Sequence, residues 1–158
     1  MKKNGFTLAE ILISLGIIGV VSALTLPTFM SNTQTRTHET TLNTSVTAIE
    51  NAIGTILAQD GANTLSESTF VDDGFMNKLD EVLKSKNEVD SNPNENGIAR
   101  ALKNGSVASF DIDDIDAGAG DVVGTVTIDT NGAARPNRNN IDIFTFNLMG
   151  NGNLELQE

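Results

Sequence analysis

Residues 11–35 contain no charged side chain, and the run from Ile11 to Val21 is interrupted only by Ser14, Gly16 and Gly19. A helix of about 20 apolar residues is what a bilayer's hydrocarbon layer requires. Lys2 and Lys3 precede the run, whereas Arg36, His38 and Glu39 follow it. The positive-inside bias therefore predicts a cytoplasmic N-terminus and an extracytoplasmic remainder. An ordinary secretory signal would place small residues at a cleavage point after the apolar run, and Ser22-Ala23-Leu24 matches that pattern poorly.

The features that set this N-terminus apart lie before the run. Gly5-Phe6-Thr7-Leu8-Ala9-Glu10 supplies a small residue, an aromatic and a lone carboxylate where a conventional signal carries only positive charge. In that register the segment resembles the prepilin N-terminus of type IV pilins and pseudopilins. The resemblance implies cleavage by a membrane-embedded prepilin peptidase between Gly5 and Phe6, N-methylation of the freed Phe6 amine, and a role for Glu10 in assembly. It also implies the partners: like subunits in a filament, the peptidase/methyltransferase, and an inner-membrane assembly platform. The precursor would be a single-pass inner-membrane protein with a periplasmic head.

Glu10 has two readings. A carboxylate inside a membrane-spanning helix costs roughly 2.5 to 3.5 kcal/mol at the centre and less near an end. In the family reading the Phe6 amine of a neighbouring subunit offsets that cost and sets register. Alternatively, Thr7-Leu8-Ala9-Glu10 is a capping box, with Glu10 favoured by the helix dipole. The two roles are compatible. Pro27, with Gly19 upstream, predicts a kink or a helix boundary, because an interior proline removes a backbone hydrogen bond. In resembling pilins such a proline marks a stretch that loosens on leaving the membrane; the plainer reading is the bilayer exit.

Beyond the apolar run, Leu42, Val46, Ile49, Ile53, Ile56 and Leu57 recur at three-and-four spacing, which predicts an amphipathic helix ending at Gly61-Ala62-Asn63. One helix over 6–59 would be on the order of 80 Å long, so half of it is expected to project. A short helix is predicted over 73–84 and loop over 87–97. Strands are predicted at 99–102, 107–112, 122–128, 141–148 and 154–157, with Asn104-Gly105 as a hairpin turn and Val122, Val126 and Ile128 alternating onto one face. The expected fold is α+β: a leader at 1–5, a stalk helix at 6–59 that is transmembrane over about 6–28, and a small antiparallel sheet head at 60–158.

Composition narrows the function. The formal net charge is −11, and losing Lys2 and Lys3 with the leader takes it to −13 (−11 minus 2). Its ten Lys and Arg are scattered, so nucleic acid is not an expected partner. Without cysteine there is neither a disulfide nor a thiolate metal site, and seven Phe with no Trp or Tyr make a light core.

No enzymatic centre is legible. The single histidine, His38, sits far in sequence from any acidic loop and reads as a solvated helix residue. The one site candidate is acidic: 111–116 crowds four aspartates, and Asp129-Thr130-Asn131-Gly132 leads towards Asp142. Hard oxygen ligands suit calcium, and the stretch resembles the C-terminal loop of major pseudopilins, where calcium can organise the chain. Asp129, Asn131 and Asp142 would be the ligands, although the spacing is not that of an EF-hand. A tight turn held by its own side chains is the preferred reading, with no cofactor.

These readings converge on a structural subunit of a pseudopilus, most simply of a type II secretion system. A surface pilin is the near alternative. More distant are a signal-anchored extracytoplasmic enzyme or binding protein, and an adhesin-like binding module whose contact surface would be the loops at 61–73 and 88–97.

Overall fold

The computed structural model describes residues 5–68, 74–85, 89, 92–113, 117–132 and 137–157. Helix α1 (Leu8–Asp60) is followed by a single 3-10 turn at Leu65–Glu67, helix α2 (Phe75–Leu83), and five strands: β1 (Ile98–Ala101), β2 (Val107–Ile112), β3 (Val122–Asp129), β4 (Ile143–Met149) and β5 (Leu154–Leu156). The strands form one antiparallel sheet in sequential order. The fold is α+β, as the sequence predicts.

The chain forms two compact units, 1–37 and 38–158. In the first, α1 keeps its apolar side chains exposed from Leu8 to Met30, and the helix is long and apolar enough to cross a membrane. It continues through Pro27 rather than ending there. Hydroxyls in this unit turn back on their own helix: Ser14 donates to the Glu10 carbonyl at 2.7 Å and Thr25 to Val21 at 2.9 Å. Polar side chains can thereby sit in apolar surroundings without an unmet donor.

In the second unit the predicted periodicity becomes the core. Ile49, Ala52, Ile53, Ile56 and Leu57 of α1 are buried against Ala108, Phe110, Val123, Val126, Ile128, Phe146 and Leu148 of the sheet. The opposite sheet face is hydroxyl-rich, with Ser109, Thr127 and Thr145 in register across β2, β3 and β4. Ser109 and Thr127 are themselves buried, and the Ser109 hydroxyl donates to Asn94 O at 3.1 Å, so this face is covered too. The helix ends in a Schellman arrangement: Gly61 has φ +66°, Ala62 N donates to Leu57 O at 2.9 Å and Gly61 N to Ala58 O. Gly152, at φ +87°, lets the β4–β5 turn approach Ile53 where a Cβ would come within 2.5 Å of its Cγ2.

Three expectations need correction. Residues 141 and 142 do not belong to β4: the Arg138 carbonyl accepts from the amides of Ile141, Asp142 and Ile143, coiling the chain into a turn that leaves Ile141 53% exposed. Val122 likewise faces out at 48%, because a register shift between Val122 and Gly124 transfers the buried role to Val123. Leu65, read as loop, is fully buried, and its amide donates to Gly150 O at 2.8 Å. The predicted start of α2 at Asp73, the loop residues 69–72, 87, 88, 90 and 91, and Asp114, Ile115, Asp116 and Pro136 lie outside the described residues.

Ile53→Ala should cost about 2 to 5 kcal/mol of stability, whereas Val122→Ala should stay within about 0.5 kcal/mol. Denaturant titration of the full chain in detergent, read by near-ultraviolet and far-ultraviolet dichroism, compares the two.

Candidate functional site

The N-terminal residues are disposed as a helix entry. Thr7 precedes the first helical residue, its amide and hydroxyl each donate to Glu10 Oε2 at 2.8 Å, and the Glu10 amide donates back to Thr7 Oγ1 at 3.3 Å. This is a capping box, which satisfies amide donors that the first turn leaves without carbonyl partners. The local reading of Glu10 is therefore realised. Both Thr7 bonds fall on the same carboxylate oxygen.

Gly5 and Phe6 lie just upstream, and Phe6 is 85% exposed. A Cβ on Gly5 would meet no atom within 4 Å, and the same holds at Gly19. Neither glycine is demanded by packing within this chain, so any requirement for one at position 5 arises in whatever acts on it. At Pro27 the lost i→i−4 bond is the one its nitrogen would have given to Ala23 O.

The family model for the prokaryotic N-terminal methylation motif matches residues 1–26. The chain carries a prepilin signal. No curated protein and no solved structure matches the chain. The prepilin signal thus comprises the glycine, the aromatic, the capping-box glutamate and the exposed apolar helix behind them. The match covers this N-terminal segment alone, and with the apolar helix it fits a precursor anchored in the inner membrane. A prepilin signal also implies processing by a prepilin peptidase and assembly into a filament.

The acidic candidate resolves into two separate places. β2–β3 register sets Asp111 opposite Thr125 and Asp129 opposite Val107, so these two aspartates lie towards opposite ends of that strand pair. Asp129, Asn131 and Asp142 do come together. Asp129 Oδ1 accepts from the amides of Asn131 and Gly132 at 3.0 and 3.1 Å, and Oδ2 accepts from Asn137 Nδ2 at 3.3 Å. Asp142 Oδ2 accepts from Asn131 Nδ2 at 2.8 Å, and its Oδ1 accepts from the Arg138 amide.

These are the bonds of a turn closed on itself. All four carboxylate oxygens already meet N–H donors, and Asn131 presents its amide nitrogen to Asp142. Among the described residues no three His, Asp or Glu side chains gather as a metal cage.

His38 departs from its sequence reading. Its Nδ1 lies 2.8 Å from Thr130 Oγ1 and the ring is half-buried, so it is neither solvated nor remote from the acidic turn. Thr130 Oγ1 donates to the Asp142 carbonyl at 3.0 Å; with its single hydrogen so directed, His38 Nδ1 is the donor to Thr130. The hydroxyl is thus not activated by the ring, and the arrangement is structural. Sequence spacing of 92 residues gave no signal for this pair.

Burial pushes the Asp129 carboxyl above its ordinary value; the Asn131 and Gly132 amides oppose that shift, the Asp142 charge adds to it, and His38 opposes it. A raised pKa means that the folded chain holds the proton more readily than the unfolded one, so the ionised carboxylate lowers stability at neutral pH. That loss is relieved as pH falls through the folded value. Asp129→Asn should therefore gain stability relative to wild type as pH rises from about 4 to 7. Thermal unfolding midpoints of the two chains across that range read the difference directly.

Proposed function

We propose that this chain is a structural, non-enzymatic filament subunit of the secretion type: a pseudopilin, cut after Gly5, methylated on Phe6 and polymerised through residues 6–26. The carrying observation is a prepilin signal continuous with an exposed apolar helix. Burying that surface among like helices supplies cohesion at roughly 25 cal/mol per Å² of apolar area. Polar contacts add little to that sum but fix register.

In this reading Glu10 works twice. Oε2 caps its own helix through Thr7, and Oε1 is the oxygen we assign to the methylated Phe6 amine of a neighbouring subunit. Within an apolar filament core an unpaired carboxylate would be costly, so the pair selects one axial register over its neighbours. The absence of cysteine, and with it of a C-terminal disulfide, supports the secretion-type subunit over the surface pilin. The turn at Asp129 and Asp142 supports it through its likeness to the pseudopilin loop, and the reading assigns no cofactor. The assembly platform and peptidase sit in the inner membrane, with the head on its outer side.

Intact mass and N-terminal sequencing of protein recovered from membranes of a host with a prepilin peptidase test this. Wild type should begin at methylated Phe6, and Gly5→Ala should remain at Met1 with an unchanged fold. Glu10→Ala should be cut normally yet lose most filament assembly in sheared or cross-linked fractions. A wild-type chain that keeps Met1 despite an active peptidase would overturn the reading in favour of a signal-anchored binding protein.

A further inference from the structure

Within the second unit, the face that α1 turns to the sheet changes character along its length. From Ile49 to Leu57 contact is apolar and nearly complete, with Ile49 and Ile53 fully buried. From His38 to Val46 it is largely made of side-chain hydrogen bonds to two turns. His38 Nδ1 meets Thr130 Oγ1 at 2.8 Å. Ser45, fully buried, meets Ser106 Oγ at 2.8 Å and accepts from Asn104 Nδ2 at 2.9 Å. Asn104 Nδ2 also reaches Thr41 O at 3.3 Å, and Ser106 donates to Asn104 Oδ1 at 2.7 Å. The apolar residues here, Leu42 and Val46, are only partly buried.

The two zones differ in what release would do. Freeing 49–57 exposes a block of isoleucine and leucine to water, whereas freeing 38–46 returns hydroxyls, an amide and an imidazole to a solvent that bonds them almost as well. The 38–46 zone also contains Thr40, Thr41 and Thr44, β-branched residues that hold a helix less firmly than Ala or Leu. Thr44 spends its hydroxyl on Thr40 O at 2.8 Å, within its own helix.

We propose that residues 38–46 of α1 form a polar latch that opens from the head while residues 49–57 stay seated. Opening moves the point at which the helix joins the sheet by about ten residues, roughly 15 Å along the helix axis. His38–Thr130 and Ser45–Ser106 are its two catches, one on the turn after β3 and one on the β1–β2 turn. The inference rests on the head alone and stands whether or not the chain forms a secretion filament.

Hydrogen–deuterium exchange of the full chain in detergent micelles tests it. Amides of 38–46 should exchange at least about tenfold faster than those of 49–57, as separately opening units do. Thr130→Val should raise exchange in 38–46 about fivefold, the loss of one ordinary hydrogen bond, and leave 49–57 unchanged. Because the chain has no cysteine, Ser45→Cys with Ser106→Cys offers one defined crosslink. Oxidation should slow 38–46 to the rate of 49–57, and reduction should restore the difference. Equal exchange of the two zones in wild type, or a Thr130→Val effect spread over both, would overturn the latch; the wild-type profile decides even if a variant fails to fold.

Discussion

The structure depends on one constraint: a backbone surrounded by hydrocarbon must satisfy its own hydrogen bonds, and a helix does so within a single segment. Once residues 11–30 are uncharged and largely apolar, helix is the conformation that a hydrocarbon layer would leave open to them. α1 carries that commitment onward to Asp60, so the helix that is long and apolar enough to cross a membrane also supplies one side of the head's core. Ile49, Ile53 and Ile56 belong to the same helix as Ile11 and Leu15. What differs is the surface offered: apolar all round in the first part, apolar on one face in the second.

Glu10 illustrates how one residue answers two demands. A first-turn carboxylate is the cheapest place for a negative charge on a helix, since it meets free amides and the positive end of the dipole. The capping box with Thr7 makes it part of the helix start. The register role proposed for it would rest on a neighbouring chain rather than on any contact within this one.

The acidic turn teaches the opposite lesson. A sequence with Asp129, Asn131 and Asp142 in near reach invites a cation, yet these side chains spend their oxygens on backbone and side-chain amides of their own loop. Buried carboxylates that accept several N–H bonds are structural groups in their own right. Asn140, at φ +59°, and the shared Arg138 carbonyl make the tight coil that brings Asp142 inward. Alternation along a strand, the only signal available at 141–142, pointed elsewhere.

The sequence by itself determined the class of the chain and most of its elements. The uncharged run, the glycine-aromatic-glutamate register, the three-and-four spacing from Leu42 to Leu57 and the Asn-Gly turn are local patterns, and local patterns are set by residues near one another in the chain. Only the tertiary structure decided that His38 reaches Thr130, that Ser45 meets Ser106, that Leu65 is buried, and that Val123 rather than Val122 faces the core. Those outcomes depend on which distant surfaces meet, and on a one-residue register shift that reverses a strand's faces; neither leaves a mark in the spacing of the residues concerned.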